Sequence, residues 1–158
     1  MAFIFVHYPQ QPSLHARPLL SCGNSMSEAR DNGCTWDDLS KQWLPAACPR
    51  IGNEEFLQRQ DQWSFYFEQE ARTVIPNISV LVDENRADWY TTEGEHLTHC
   101  AFILLRMAHA LFSGDRIDRV TSKYHHAVHC TSYLLNATKW SPNWNVITSR
   151  GNSLFGWC

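Results

Sequence analysis

The chain has 158 residues, enough for one domain with a hydrophobic core, and its formal net charge is −3. That charge, together with the lack of any lysine and arginine cluster in the sequence, argues against nucleic acid as a partner. No run of residues approaches the roughly 20 apolar positions that would span a bilayer.

The sequence predicts an extended N-terminal arm, residues 1–21, followed by a single domain, residues 22–158. Three prolines among polar residues favour an extended arm. The first helix should begin after Ser25, because a serine followed three residues later by Glu28 forms a capping box. Gly33 is expected to end this short helix.

Six cysteines and two Asn-x-Ser/Thr sequons, at Asn77 and Asn136, favour disulfides, glycosylation and a secretory-pathway lumen. Cys34 and Cys48 would close a loop of about 15 residues, for which the loop-entropy model gives about 3 kcal/mol. The alternative is that both are free, buried side chains. Cys22 and Cys158 would pair with each other or remain free. The apolar first residues are too short for a secretory signal, so a cytoplasmic location is the alternative to the lumen.

The middle of the chain contains one predicted helix and two irregular segments. Asn53–Gln69 is expected to be helical, since Asn53 can cap it, two glutamates suit its first turn, and apolar residues form a stripe. Residues 74–82 are β-prone around a proline and predict a loop or one edge strand. Residues 83–92 are polar and predict a loop.

Two longer helices follow, from about Glu93 to Leu111 and from about Lys123 to Ala137. Each carries one copy of the five-residue motif His-x-x-His-Cys. Helical positions i, i+3 and i+4 lie on one face, so each helix should present two imidazoles and a thiol together. These side chains are His96, His99 and Cys100 on the first helix, and His126, His129 and Cys130 on the second.

Two helices that each present a histidine pair to the other can close around a metal ion. The alternative is a histidine-rich core, but separately buried imidazoles would each need a hydrogen-bond partner. We therefore predict a mainly α fold: a small helical domain with two metal-binding helices, long loops and disulfides. The predicted ligands are His96, His99, His126 and His129.

The paired motifs resemble the hallmark of the UstYa-like proteins of fungal mycotoxin clusters. The likeness covers about residues 22–135, and further matching segments are Cys22-Gly23-Asn24-Ser25, Glu28-Ala29-Arg30, Gly33-Cys34, Trp36-Asp37, Trp43-x-Pro45, Cys48 and Tyr124-His125-His126. The resemblance implies copper and oxidative tailoring of peptides or other natural products by macrocyclisation, hydroxylation, desaturation or halogenation.

The sequence departs from this family in two places. Family members usually begin with a membrane-spanning helix, which implies a lumenal or membrane-associated protein whose anchor is absent from this chain. Glu93-Gly94-Glu95 stands before His96, where the family pattern has a Trp-Glu pair.

These observations lead us to expect a copper-dependent oxidative tailoring enzyme that uses dioxygen on a small-molecule or peptide natural-product intermediate. Imidazole ligands suit copper and zinc, and the Irving–Williams order favours Cu(II). The alternative is a non-redox cyclase or binding scaffold, stabilised by a structural zinc or by a disulfide between the two helices. A homodimer is compatible with either function.

The two motif cysteines have two possible roles. Cys100 and Cys130 could form a disulfide that joins the helices beside the metal, which an oxidising compartment favours. As thiolates they could instead bind the metal or be oxidised by it.

Four further residues near the motifs are candidates for the reaction. Glu93 and Glu95 could orient an imidazole or accept a proton, or could form a solvated helix start. Tyr133, one turn beyond His129, could donate a hydrogen bond or an electron, or could pack in the core. His125 could be a ligand, a hydrogen-bond partner of a ligand or a substrate contact.

Overall fold

The computed structural model describes residues 18–59, 63–83 and 88–147. This part of the chain is mainly helical, as the sequence predicts. Its elements in chain order are α1 (Met26–Asp31), β1 (Thr35–Asp37), β2 (Gln42–Leu44), α2 (Asn53–Leu57), β3 (Phe65–Tyr66), a 3-10 helix (Ile78–Asp83), β4 (Tyr90–Thr91), α3 (Glu93–Ser113) and α4 (Tyr124–Thr138). No helix in the described ranges is long and apolar enough to cross a bilayer.

Helix α1 begins and ends where the sequence predicts. The Ser25 hydroxyl accepts a hydrogen bond from the Glu28 amide at 3.2 Å. The Glu28 carboxylate accepts one from the Asn24 amide at 2.9 Å, so the capping box extends one residue further back than the standard motif.

The predicted disulfide between Cys34 and Cys48 is wrong. Cys34 is bonded to Cys22, with the two Cα atoms 5.9 Å apart, and Cys48 is a free, half-buried thiol. The reason is the register of the β1–β2 hairpin, in which Thr35 pairs with Leu44. That register carries Cys48 past the end of the hairpin, whereas the turn after α1 brings Cys34 back to the segment before that helix. Cys158 lies outside the described residues.

The prediction of one helix over Asn53–Gln69 is correct only for its first turn. Helix α2 ends at Leu57, and the aromatic segment forms β3, which pairs antiparallel with β4. Aromatic side chains favour strands because they pack well on a half-buried pleated surface. Here Phe65 points into the core and packs edge-to-face on Trp89, with ring centroids 5.0 Å apart.

The irregular segments are also more ordered than predicted. Residues 74–82 supply one isolated bridge, from Val74 to Tyr66, and most of the 3-10 helix. Asn77 and Asn136, the two predicted glycosylation sites, are both exposed. Of the predicted arm, only residues 18–21 are described, and the Pro18 carbonyl accepts a hydrogen bond from Arg116 at 2.9 Å.

Two hydrophobic clusters form the core. The first joins α2 and the β1–β2 hairpin to the long helices and consists of Leu39, Phe56, Cys100, Phe102, Ile103 and Cys130. The second lies under the short sheet of β3 and β4 and consists of Phe65, Ile75, Ile78 and Leu81. The motif cysteines therefore lie in the main core, and the motif faces of α3 and α4 point inward.

The two long helices match their predicted bounds within two residues. The Thr92 hydroxyl caps α3 by accepting a hydrogen bond from the Glu95 amide at 3.2 Å. Gly114 ends the helix in the left-handed conformation, with φ of 70°, which glycine adopts without steric cost. Lys123 is the residue before α4 and makes no side-chain cap.

A buried charged network fixes α3 against the rest of the chain. The Arg106 guanidinium bonds both carboxylate oxygens of Asp37, at 2.9 and 3.1 Å, and one of Asp118, at 3.3 Å. Its Nε donates to the Ile51 carbonyl at 2.8 Å. Thr121 donates to Asp118 from its amide and its hydroxyl. One side chain thus joins the β1–β2 hairpin, the segment before α2 and the α3–α4 connection.

We expect Arg106→Met to lower the free energy of unfolding by about 3–5 kcal/mol, because it leaves buried Asp118 without its ion-pair partner and buried Asp37 with Arg50 alone. Urea unfolding followed by circular dichroism measures the change. Arg72→Met is the control, since the Arg72 side chain is 75% exposed. Equal stability of the two variants would contradict a structural role for the network.

Asp118 should make stability depend on pH in the acid range. Burial alone would raise its pKa, but hydrogen bonds from Thr121 and Gln42 and the charge of Arg106 lower the pKa below 3.8. A lowered folded-state pKa contributes stability above pH 3.8 that is lost as the pH falls through the folded value. Asp118→Asn should therefore be less stable at neutral pH and lose less stability on acidification. A parallel loss in both proteins would contradict this.

Candidate metal centre

The structure brings the four predicted metal-binding histidines together in two pairs, each between α3 and α4. Nε2 of His96 lies 3.1 Å from Nε2 of His129. Nε2 of His99 lies 3.4 Å from Nε2 of His126. Since the earlier residue of one motif meets the later residue of the other, the two helices run antiparallel.

Each histidine pair has a buried thiol beside it. The possible ligand atoms of His96, Cys100 and His129 lie within 4.8 Å of one another, and so do those of His99, Cys130 and His126. Exchanging the two motif copies converts one set into the other. The motifs therefore meet about a local two-fold axis, in the way that identical subunits meet in a symmetric dimer. We call the first set the outer group and the second the inner group.

Backbone carbonyls orient the imidazoles of the inner group. The Leu39 carbonyl accepts from Nδ1 of His99 at 2.7 Å, and the Val120 carbonyl accepts from Nδ1 of His126 at 3.2 Å. With a proton on each Nδ1, neutral imidazoles have bare Nε2 lone pairs. Two bare lone pairs 3.4 Å apart repel unless a cation or a proton lies between them. Metal-binding histidines are commonly held by such bonds.

The donor atoms and their separations fit a metal ion. Two nitrogens that each bind one ion at about 2.0–2.1 Å lie roughly 3–3.5 Å apart in tetrahedral or square geometry. Both histidine pairs fall within that range. Imidazole with thiolate suits copper and zinc. The two groups could hold a metal ion.

The electrostatics of the site keep several imidazoles neutral and so available as ligands. Burial lowers the pKa of His99 to about 4, despite its bond to Leu39. Burial and the neighbouring His129 lower the pKa of His96. A hydrogen bond with the Cys130 thiol raises the pKa of His126. A proton on His126 can therefore take the position of a cation in the inner group.

The predicted disulfide between Cys100 and Cys130 is not present: both are free, fully buried thiols. They are nevertheless in contact. The hydrogen bond between them, followed by burial, raises the pKa of Cys100, while the same bond and His126 lower the pKa of Cys130. Because each thiol also lies beside two histidines, the structure places both cysteines as possible ligands rather than as a bridge.

A cavity of about 520 Å³ reaches one histidine of each group, His96 of the outer and His99 of the inner. Its lining residues are Trp89, Tyr90, Thr91, Thr92, Glu93, Glu95, His96, His99 and Tyr133. The Tyr133 ring stacks on His96 with centroids 4.0 Å apart. Tyr133, a predicted candidate, thus lies beside the site and is half-buried.

The other predicted candidates differ in their surroundings. Glu93 is exposed at the start of α3, as expected for a solvated helix start. Glu95 is only 2% exposed, so that alternative does not apply to it. Glu95 forms an ion pair with Lys41, with Nζ 3.0 Å from Oε1. His125 is exposed on α4 and belongs to neither group.

Sequence reasoning missed two parts of this site. Lys41 and the Leu39 carbonyl come from a segment far before the motifs, and no periodic pattern marks them. Lys41 also has a positive φ of 54°, which is uncommon for a residue with a Cβ atom and is not visible in the sequence.

The fold and the two groups define a small helical domain with a candidate metal centre between antiparallel helices. Comparisons of the chain with protein-family models, with curated proteins and with solved structures found no match. The arrangement of the site itself is therefore the basis for assigning a function.

We expect His96→Ala, His99→Ala, His126→Ala and His129→Ala each to lower the metal content of protein purified without chelator, because each removes a ligand atom. A double variant with both substitutions in one group should have nearly the same metal content as a single variant. A double variant with one substitution in each group should have a lower metal content than either single variant. Elemental analysis measures the content. His109→Ala is the control, since His109 bonds to Asp115 away from the centre. Full metal content in any two of the four variants would contradict the model.

Proposed function

We propose that the protein is a copper-dependent oxidase that modifies a C–H bond of a natural-product intermediate, either a small molecule or a peptide. The observation that carries the proposal is the pair of Nε2 contacts between α3 and α4, each beside a buried thiol. Among the metals that imidazole and thiolate suit, the Irving–Williams order favours Cu(II). The resemblance of the motifs to UstYa-like proteins supports the same metal.

A bound copper ion would supply electron exchange with dioxygen, and so the oxidising power for substrate. His96, which lines the cavity, and His129 would bind it. His99 and His126 would bind with their rings held by the Leu39 and Val120 carbonyls. Rings held in this way lose little freedom on binding, which favours a fixed coordination.

The cavity residues would bind and orient the substrate. Trp89, Tyr90 and Tyr133 offer aromatic walls, which exclude water and suit an apolar substrate. Burial, with the charge of Glu93, raises the pKa of Tyr133. Its hydroxyl therefore keeps its proton at neutral pH and can donate a hydrogen bond to substrate. The Glu95 carboxylate, on the same wall, can accept a proton.

A second candidate function is a non-redox cyclase or binding scaffold with a structural zinc. The observation in its favour is that both thiols are reduced and buried beside histidines. Mixed cysteine and histidine ligation is typical of structural zinc sites.

A secretory-pathway lumen is part of the proposal. The Cys22–Cys34 disulfide and the exposed Asn77 and Asn136 support an oxidising compartment with access to glycosylation.

We expect copper-loaded protein to convert an intermediate from its own biosynthetic pathway in air and not under strict anaerobiosis, with dioxygen consumed in proportion to product. Electron paramagnetic resonance of the same sample should give a Cu(II) signal. The Cys48→Ser variant is the control, because Cys48 lies outside both groups. Equal product without oxygen, or a zinc-only protein with full activity, would favour the scaffold.

A further inference from the structure

A second cavity lies next to the buried Lys41–Glu95 pair, apart from the histidine groups. Its volume is about 530 Å³, and its lining residues are Trp36, Asp38, Lys41, Leu57, Trp63, Ser64, Phe65, Val74, Ile75, Pro76, Asn77 and Ile78. The walls are mostly aromatic and aliphatic. Lys41 is the cationic residue among them, and the function proposed above makes no use of it.

The Lys41 ammonium is held in an unusual environment. Its side chain is 10% exposed, and Nζ lies 4.7 Å from the ring centroid of Phe56 and 4.6 Å from that of Phe65. The backbone of Lys41 has a positive φ, which is uncommon for a residue with a Cβ atom.

Glu95 compensates the charge of Lys41 but does not use all of its N–H donors. Its Oε1 lies 3.0 Å from Nζ. The same oxygen is buried and has no hydrogen-bond partner in the described part of the chain. Burial lowers the pKa of Lys41 in spite of Glu95 and the aspartates nearby. An ammonium has three N–H donors, and one carboxylate and two aromatic faces leave room for a further acceptor.

We propose that this cavity binds an aromatic or apolar carboxylate, with the ring between Trp36, Trp63 and Phe65 and the carboxylate on the Lys41 ammonium. Apolar cavities with one or a few convergent polar groups are typical ligand sites. A second oxyanion at Nζ would offset the cost of burying this cation. Neither histidine group takes part in this inference. Glu95 is the residue shared with the proposed oxidase function, because it lines the cavity at the metal centre and also pairs with Lys41.

Asp38 and Glu95 set the strength of this binding. Asp38 also lines the cavity and is half-buried, so its negative charge opposes an anionic ligand. Glu95 competes with the ligand for the same ammonium. Removing either charge should therefore strengthen binding of an anion, whereas a purely apolar cavity would respond to neither change.

The test uses naphthoate and its neutral isostere naphthamide with the full-length protein in isothermal titration. We expect the wild type to bind naphthoate about tenfold more tightly than naphthamide. Lys41→Met should abolish that preference, and Asp38→Asn should increase it. Lys123→Met is the matched control, since Lys123 is exposed and does not line the cavity, and it should leave the preference unchanged.

Three results would overturn the proposal. The first is equal affinity of the wild type for naphthoate and naphthamide, which needs no variant. The second is an unchanged preference in Lys41→Met, or in Lys41→Met/Glu95→Gln if the single variant does not fold. The third is loss of naphthoate binding on chelator treatment or in His99→Ala. That result would show that the carboxylate of naphthoate binds at the metal centre and not at Lys41.

Discussion

The position of α3 depends on the buried guanidinium of Arg106. Its bonds to Asp37 and Asp118 connect the β1–β2 hairpin with the α3–α4 connection, two segments that are 81 residues apart at these carboxylates. A buried charge is tolerated only where its partners surround it closely. This network therefore fixes the position of α3 along its own axis. Asp118 also accepts from Thr121, just before α4. The network thus sets the register of the two motif helices.

That register determines the pairing of the histidines. A shift of α4 by one turn, about 5.4 Å, would separate both Nε2 contacts. The Val120 carbonyl, which orients His126, lies in the same connection that Asp118 organises. The Leu39 carbonyl, which orients His99, belongs to the hairpin that Asp37 anchors. The charged network and the metal centre therefore share their supporting segments.

Much of the helical part and of the ligand set follows from the sequence, because helical periodicity and a repeated motif are local signals. The two motif copies mark the long helices, and i, i+3 spacing places two imidazoles on one face of each. What the sequence does not specify is how the faces combine. Antiparallel packing pairs His96 with His129 and leaves Cys100 and Cys130 as neighbouring thiols. The Cys22–Cys34 bond and the burial of Glu95 likewise depend on the β1–β2 hairpin. Its strands have only three residues each, so the sequence predicts this hairpin only weakly.

The two motif copies are equal in sequence but differ in surroundings. The inner group donates hydrogen bonds to two carbonyls, and burial keeps His99 neutral. The outer group contains the exposed His129, and Tyr133 stacks on its His96. A more fixed set of ligands suits tight binding, and a more open one suits access by a substrate. The local two-fold axis thus relates two groups of the same composition whose different surroundings suit them to different tasks.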